Sequence, residues 1–122
     1  MKIRATDAPQ ARQQLGDMAR GVDQAGFTMA LMSLPAGTDF CTFLEGLPHD
    51  HCQCPHWGYV LEGSIDVAYQ DGTTETVVPG DLYYWPPGHT IKVSADTQYI
   101  EFSPADQLNE VLDHVVSKLP ER

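Results

Sequence analysis

His49-Asp-His-Cys-Gln-Cys-Pro-His-Trp-Gly-Tyr-Val-Leu-Glu-Gly63 and, one short hairpin later, Gly80-Asp-Leu-Tyr-Tyr-Trp-Pro-Pro-Gly-His89 carry most of the information in this chain. Four of the five histidines and two of the three cysteines lie in these two blocks. Imidazole nitrogen and thiolate sulfur are the usual protein ligands of zinc, iron and nickel, so the concentration points to a metal-centred site without naming a reaction.

The flanking pattern predicts strands. From His56 to Gln70 the residues alternate, with a kink at Glu62-Gly63 and with Ile65, Val67 and Tyr69 on one face. Asp71-Gly72 is a two-residue hairpin signal, because glycine accepts the positive φ such turns need. The return strand is Thr73 to Val78, and Leu82 to Trp85, His89 to Val93 and Thr97 to Phe102 follow at short intervals. Upstream, Phe27 to Leu34 reads as a strand covered on both faces and Thr38 to Leu44 as another, with Cys41 as a core residue. Many short strands separated by turn residues indicate a sandwich or a barrel. Residues 1–26 have few apolar positions and are expected to form an arm or a short helix. After Ser103-Pro104, Leu108, Val111, Leu112, Val115, Val116 and Leu119 recur at helical steps, predicting an amphipathic helix over 105–122 packed on a barrel of 27–104. Ser103 or Asp106 is its expected N-cap.

Composition narrows the function classes. A chain of 122 residues is one domain's worth. Seventeen acidic against seven basic residues give a formal charge of −10, which repels a phosphate backbone, so neither nucleic acid nor membrane is an expected partner. An odd cysteine count fits free thiols or ligands better than a disulfide framework. Met1 to Asp23 lacks the apolar stretch of a signal peptide, and the expected location is cytoplasmic. No Gly-x-Ser-x-Gly elbow, phosphate-binding loop or dinucleotide fingerprint is present.

The two blocks resemble the paired motifs of the cupins, in particular the small single-domain members with the conserved barrel. His49-x-His51, four residues, His56, six residues, Gly63 matches the spacing of the first cupin motif, with histidine in the place of glutamate. Gly80, five residues, Pro86-x-Gly88 matches the second, but Ile91 stands where its histidine would fall and His89 sits two residues earlier. The resemblance implies an all-β, cupin-type double-stranded β-helix, a jelly-roll barrel, with the C-terminal helix added. It also implies a homodimer, with Met1 to Gly26 and the C-terminal helix as candidate contacts.

Two ligand registers are open. In one, His49 and His51 join His56 and His89. In the other, Cys52, Cys54 and His56 alternate along an extended segment and put both sulfurs and the imidazole on one face. Both keep His56 and His89. Tyr59, Tyr84 and Trp85 are candidate pocket residues, and Glu101 is a candidate ligand or general base. The expected cofactor is a divalent metal ion, zinc or iron in the first place, with nickel or manganese as further options, and the expected partner is a small-molecule ligand. Two function classes follow: a metal-dependent enzyme of the dioxygenase or isomerase/lyase type, or a small-ligand binding or sensing cupin.

Overall fold

A computed structural model describes residues 1–120, so the last two positions of the expected C-terminal segment, 121 and 122, lie outside it. Eight strands form two antiparallel sheets. Ala19–Gln24 (β1), Phe27–Leu34 (β2), His56–Glu62 (β3), Leu82–Trp85 (β6) and Thr97–Pro104 (β8) build the larger, in the order β1-β2-β8-β3-β6. Ile65–Tyr69 (β4), Thr74–Val77 (β5) and His89–Lys92 (β7) build the smaller, in the order β5-β4-β7. The helix α1, Ala105–Ser117, follows β8 directly. This is the expected jelly-roll barrel with one C-terminal helix.

Alternation along the strands places the core between the sheets. Leu34, Val60, Ile65, Val67, Trp85 and Tyr99 are each 2% exposed or less and pack together. Two glycines make close approaches a side chain would prevent. A Cβ on Gly58 would lie 2.3 Å from the Tyr83 hydroxyl, which crosses β3 at this point, and Gly63 combines a φ of 82° with a Thr97 side chain 2.2 Å from its Cβ position.

Three expectations are corrected. The arm is not wholly irregular: β1 lies within it and pairs with β2 through the Ala25-Gly26 turn, extending the sheet before residue 27. Residues 38–44 form no strand: Asp39 makes an isolated bridge to Lys92 and 41–44 are turns, because the Asp39 carboxylate accepts a hydrogen bond from the Cys41 backbone N–H at 2.9 Å and Leu44 N–H bonds Phe40 C=O, curling the segment. Cys41 is consequently exposed. The helix has Pro104 at its N-cap with no side-chain cap, and Ser103 is engaged elsewhere.

The helix does not lie on the outside of the barrel. Its buried residues Leu108, Val111 and Val115 pack with Leu44, Cys52 and Cys54, so α1 covers the end of the barrel at which the first motif sits. Its apolar face is therefore occupied within the chain and is not free as the expected dimer contact. The larger sheet does carry an exposed apolar outer face: Trp57 lies opposite Tyr84 on β6 and Phe102 on β8, and each is 40–49% exposed.

Candidate metal centre

Cys52 and His89 meet through the backbone. Cys52 N–H donates to His89 C=O at 2.8 Å and His89 N–H returns the bond at 3.2 Å, forming an isolated bridge between the loop before β3 and the first residue of β7. His56 opens β3 on the inward-facing parity. Cys52 Sγ lies 3.6 Å from His56 Nε2, and the His56 and His89 rings are 5.0 Å apart between centroids. One donor atom from each of Cys52, His56 and His89 lies within 4.8 Å of the others, and all three residues are buried. Among the described residues this is the one such group.

Both imidazoles are oriented from behind. His89 Nδ1 lies 2.9 Å from Pro86 C=O and therefore donates to it, leaving Nε2 as the nitrogen with a free lone pair. His56 Nδ1 lies 2.6 Å from the Ser103 hydroxyl and 3.7 Å from Glu101, with Nε2 turned to Cys52. Glu101 in turn accepts a hydrogen bond from the Tyr83 hydroxyl at 3.0 Å.

Burial dominates the electrostatics. It holds His56 well below the ordinary imidazole range, with the neighbouring His89 adding to the effect, and it brings His89 down to about 4. It pushes the Cys52 thiol up to about 12 and the Glu101 carboxyl up to about 8, the latter against the Tyr83 hydrogen bond. Burial therefore shifts all four groups toward their neutral forms when no metal is bound, which works against an ion pair between His56 and Glu101.

The donor set fits a divalent ion. Zinc–sulfur and zinc–nitrogen bonds of about 2.3 and 2.0–2.1 Å at tetrahedral angles separate S and N by about 3.6 Å, and Cys52 Sγ and His56 Nε2 are 3.6 Å apart. Two neutral imidazoles and a thiol that a bound cation deprotonates are the chemistry such an ion needs.

Of the other expected residues, His49, His51, Cys54, Tyr59 and Tyr84 lie outside this group, whereas Trp85 and Glu101 line the cavity beside it. His49 sits at a φ of 56° in an exposed turn, and His51 follows it with Nδ1 2.5 Å from His49 C=O. Cys54 is buried on the same parity as Cys52 and His56, but its sulfur lies 3.5 Å from Pro55 C=O and stays outside the group of converging donor atoms. Tyr59 and Tyr84 are 41% and 49% exposed on the outer face, the parity opposite to the pocket, so they do not line it. Trp85 does, stacked on Tyr83 with ring centroids 4.0 Å apart. Glu101 also lines the cavity, which measures about 80 Å³. Ser103 and Tyr83 join the site as partners of His56 and Glu101. The available signal was strand parity: Glu101 and Ser103 alternate on β8, as Tyr83 and Trp85 do on β6.

Comparison with known proteins agrees with this architecture. The profile of the family described as Cupin domain matches residues 30–98. No protein of curated function matches the sequence. A structural-genomics protein of unknown function from Rhizobium leguminosarum bv. viciae 3841 superposes with a TM-score of 0.60 at 21% identity, covering 84% of this chain and 94% of that one. Ectoine synthase from P. lautus superposes at 0.55 with 17% identity over 75% and 70% of the two chains. The Clostridium difficile EutQ protein superposes at 0.53 with 19% identity over 93% and 82%. At these identities the likeness is one of fold.

Proposed function

This chain belongs to the Cupin domain family, and from that premise we propose that it is a metal-dependent enzyme acting on a small organic ligand inside the barrel. Cys52, His56 and His89 hold a divalent ion, zinc or iron, and Glu101 serves as the acid/base group. The observation that carries the reading is the convergence of one sulfur and two oriented imidazoles beside a buried carboxyl that keeps its proton near neutral pH. Three protein ligands leave a position open for water or substrate, the pattern of catalytic and not structural sites.

A bound ion would supply Lewis-acid polarisation of a ligand oxygen. The chain's own residues do the rest. Pro86 C=O and the Ser103 hydroxyl fix the imidazole tautomers. Tyr83 holds Glu101 Oε1, and helix α1 supplies one apolar wall of the cavity. Glu101 is suited to pass a proton at its carboxyl oxygen, which favours isomerase or lyase chemistry over dioxygenation.

The test is elemental analysis of untagged protein beside Cys52→Ala, Cys54→Ala, His56→Ala and His89→Ala. A stoichiometric metal retained in Cys54→Ala and lost in the other three is expected. Wild-type protein that neither carries nor takes up zinc, iron, nickel or manganese would overturn the reading in favour of a binding or sensing cupin.

A further inference from the structure

We propose that helix α1 is the gate of this cavity, turning about its junction with β8 to admit an ion or ligand to Cys52, His56 and His89, and latched shut by Arg12 and His114. What passes the gate rests on the proposed function; that the gate opens rests on the packing alone.

Something must move for the site to be filled. Cys52, His56 and His89 are only 4%, 6% and 3% exposed, and the space they share measures about 80 Å³. Its walls are the barrel strands, the segment 38–55, the N-terminal arm through Leu15 and Met18, and α1 through Leu108, Val111, Leu112 and Val115. The strands are held by their ladders. Segment 38–55 is tied to β7 by Phe40 N–H on Ile91 C=O and by the paired Cys52–His89 bonds. The arm is tied to β1 by Ala11 N–H on Ala19 C=O and by Gly21 N–H on Pro9 C=O. Helix α1 differs. Among the described residues its one backbone bond to the rest of the chain is at its first residue, from Ala105 N–H to Gly26 C=O. Beyond that point side chains alone hold it, so it lifts while every ladder stays intact.

The packing divides the molecule at the same place. Buried residues form two clusters, one inside the barrel around Val60, Ile65 and Trp85, and a second in which Leu108, Val111 and Val115 meet Leu44, Cys52 and Cys54. Lifting α1 dismantles the second cluster and leaves the first, and Cys52 is the ligand it uncovers. Elements held by few buried apolar side chains and no ladder open at a lower free energy than the whole fold.

Two surface contacts close the gate. Arg12 of the arm donates from Nε and Nη2 to Asp113 Oδ1 at 3.2 and 3.1 Å, and from Nη2 to Asn109 Oδ1 at 3.1 Å. His114 Nε2 donates to Glu45 C=O at 2.7 Å, its ring seated over Gly46, where a Cβ would lie 3.2 Å from Cε1. The two latches tie α1 to two of the other walls. The hinge end touches the site itself, because Ser103, the partner of His56 Nδ1, stands two residues before α1 begins.

Cys41 is exposed while Cys52 and Cys54 are buried, so thiol alkylation reads the gate directly. In metal-free Cys41→Ser protein, iodoacetamide is expected to modify Cys52, located by fragment mass spectrometry, at a rate with a shallower urea dependence than global unfolding. Adding Arg12→Ala or His114→Ala is expected to raise that rate about threefold each, in line with other exposed polar contacts. Hydrogen exchange at the amides of β8, between β2 and β3, should stay as it is. Alkylation with the full urea dependence of unfolding, a rate unchanged in both latch variants, or β8 exchange that rises in step with the alkylation would overturn the gate. Zinc uptake by the same samples separates the two readings. Gated alkylation of protein that takes up no zinc supports the gate and sinks the metalloenzyme, whereas stoichiometric zinc that leaves for a chelator no faster in the latch variants sinks the gate and leaves the metal site standing.

Discussion

His56 Nδ1 lies 2.6 Å from Ser103 Oγ, a contact between two buried side chains on neighbouring strands. The pairs Trp57–Phe102 and Gly58–Glu101 set the register of β3 against β8, and one step further along brings His56 level with Ser103. With Ser103 accepting from Nδ1–H, the Nε2 lone pair is directed to Cys52.

Removing that hydroxyl should loosen the ligand and not the fold alone. Partners behind metal-binding imidazoles typically contribute 10- to 100-fold in metal affinity. Ser103→Ala is expected to weaken zinc binding by about tenfold, measured by competition with a chelator of known affinity. Unchanged affinity would remove Ser103 from the site.

Glu101 makes stability pH-dependent. Its carboxyl titrates near 4.5 when unfolded and near 8 when folded, so the native state holds more protons across that window and stability falls as pH rises through it. His56 and His89 act in the opposite sense, costing stability as pH drops below about 6.5, where the unfolded imidazoles take up protons. Glu101 alone removes about 2 kcal/mol between pH 6.5 and 8.5 and the histidines return part of it, so metal-free wild type should lose about 1 kcal/mol net. Urea denaturation should show this decline in wild type and a slight rise in Glu101→Gln, where the histidines act alone. A parallel decline in both proteins would show that another group is responsible.

Helix α1 seals the barrel end with few side chains, of which Leu108 is among the largest. Leu108→Ala is expected to cost about 2 kcal/mol by the loss of buried methyl groups and the cavity left behind. Faster hydrogen exchange should follow at the Cys52 amide, whose residue packs in the same cluster as Leu108. Exchange confined to α1 itself would mean that the helix is not part of the seal.

The outer face of the larger sheet offers the expected homodimer a site. Trp57 packs against Phe27 and Tyr84 with ring centroids 6.1 and 5.2 Å apart, and Leu82 beside them is 83% exposed on the edge strand β6. Contiguous apolar surface of this kind commonly marks an interface. Light scattering should report a dimer for wild type and a monomer for Leu82→Glu/Tyr84→Glu. A wild-type monomer at high concentration would discard the assignment.

Strand periodicity, the Asp71-Gly72 turn and the spacing of the two glycine-anchored motifs determined the barrel from the sequence alone, because side-chain alternation and turn chemistry are local properties. The same locality explains the failures. Thr38 to Leu44 has the composition of a strand, yet the Asp39 side chain captures the backbone of Cys41 and curls it. Cys54 shares the buried parity of Cys52 and His56, yet parity fixes the side a residue faces and not the distance between donor atoms, and its sulfur stays outside the converging group. The histidines and Cys52 were legible as ligand types. Which of them meet was decided by the Cys52–His89 backbone bridge and the β3–β8 register, and these join residues 37 and 47 positions apart that no local pattern relates.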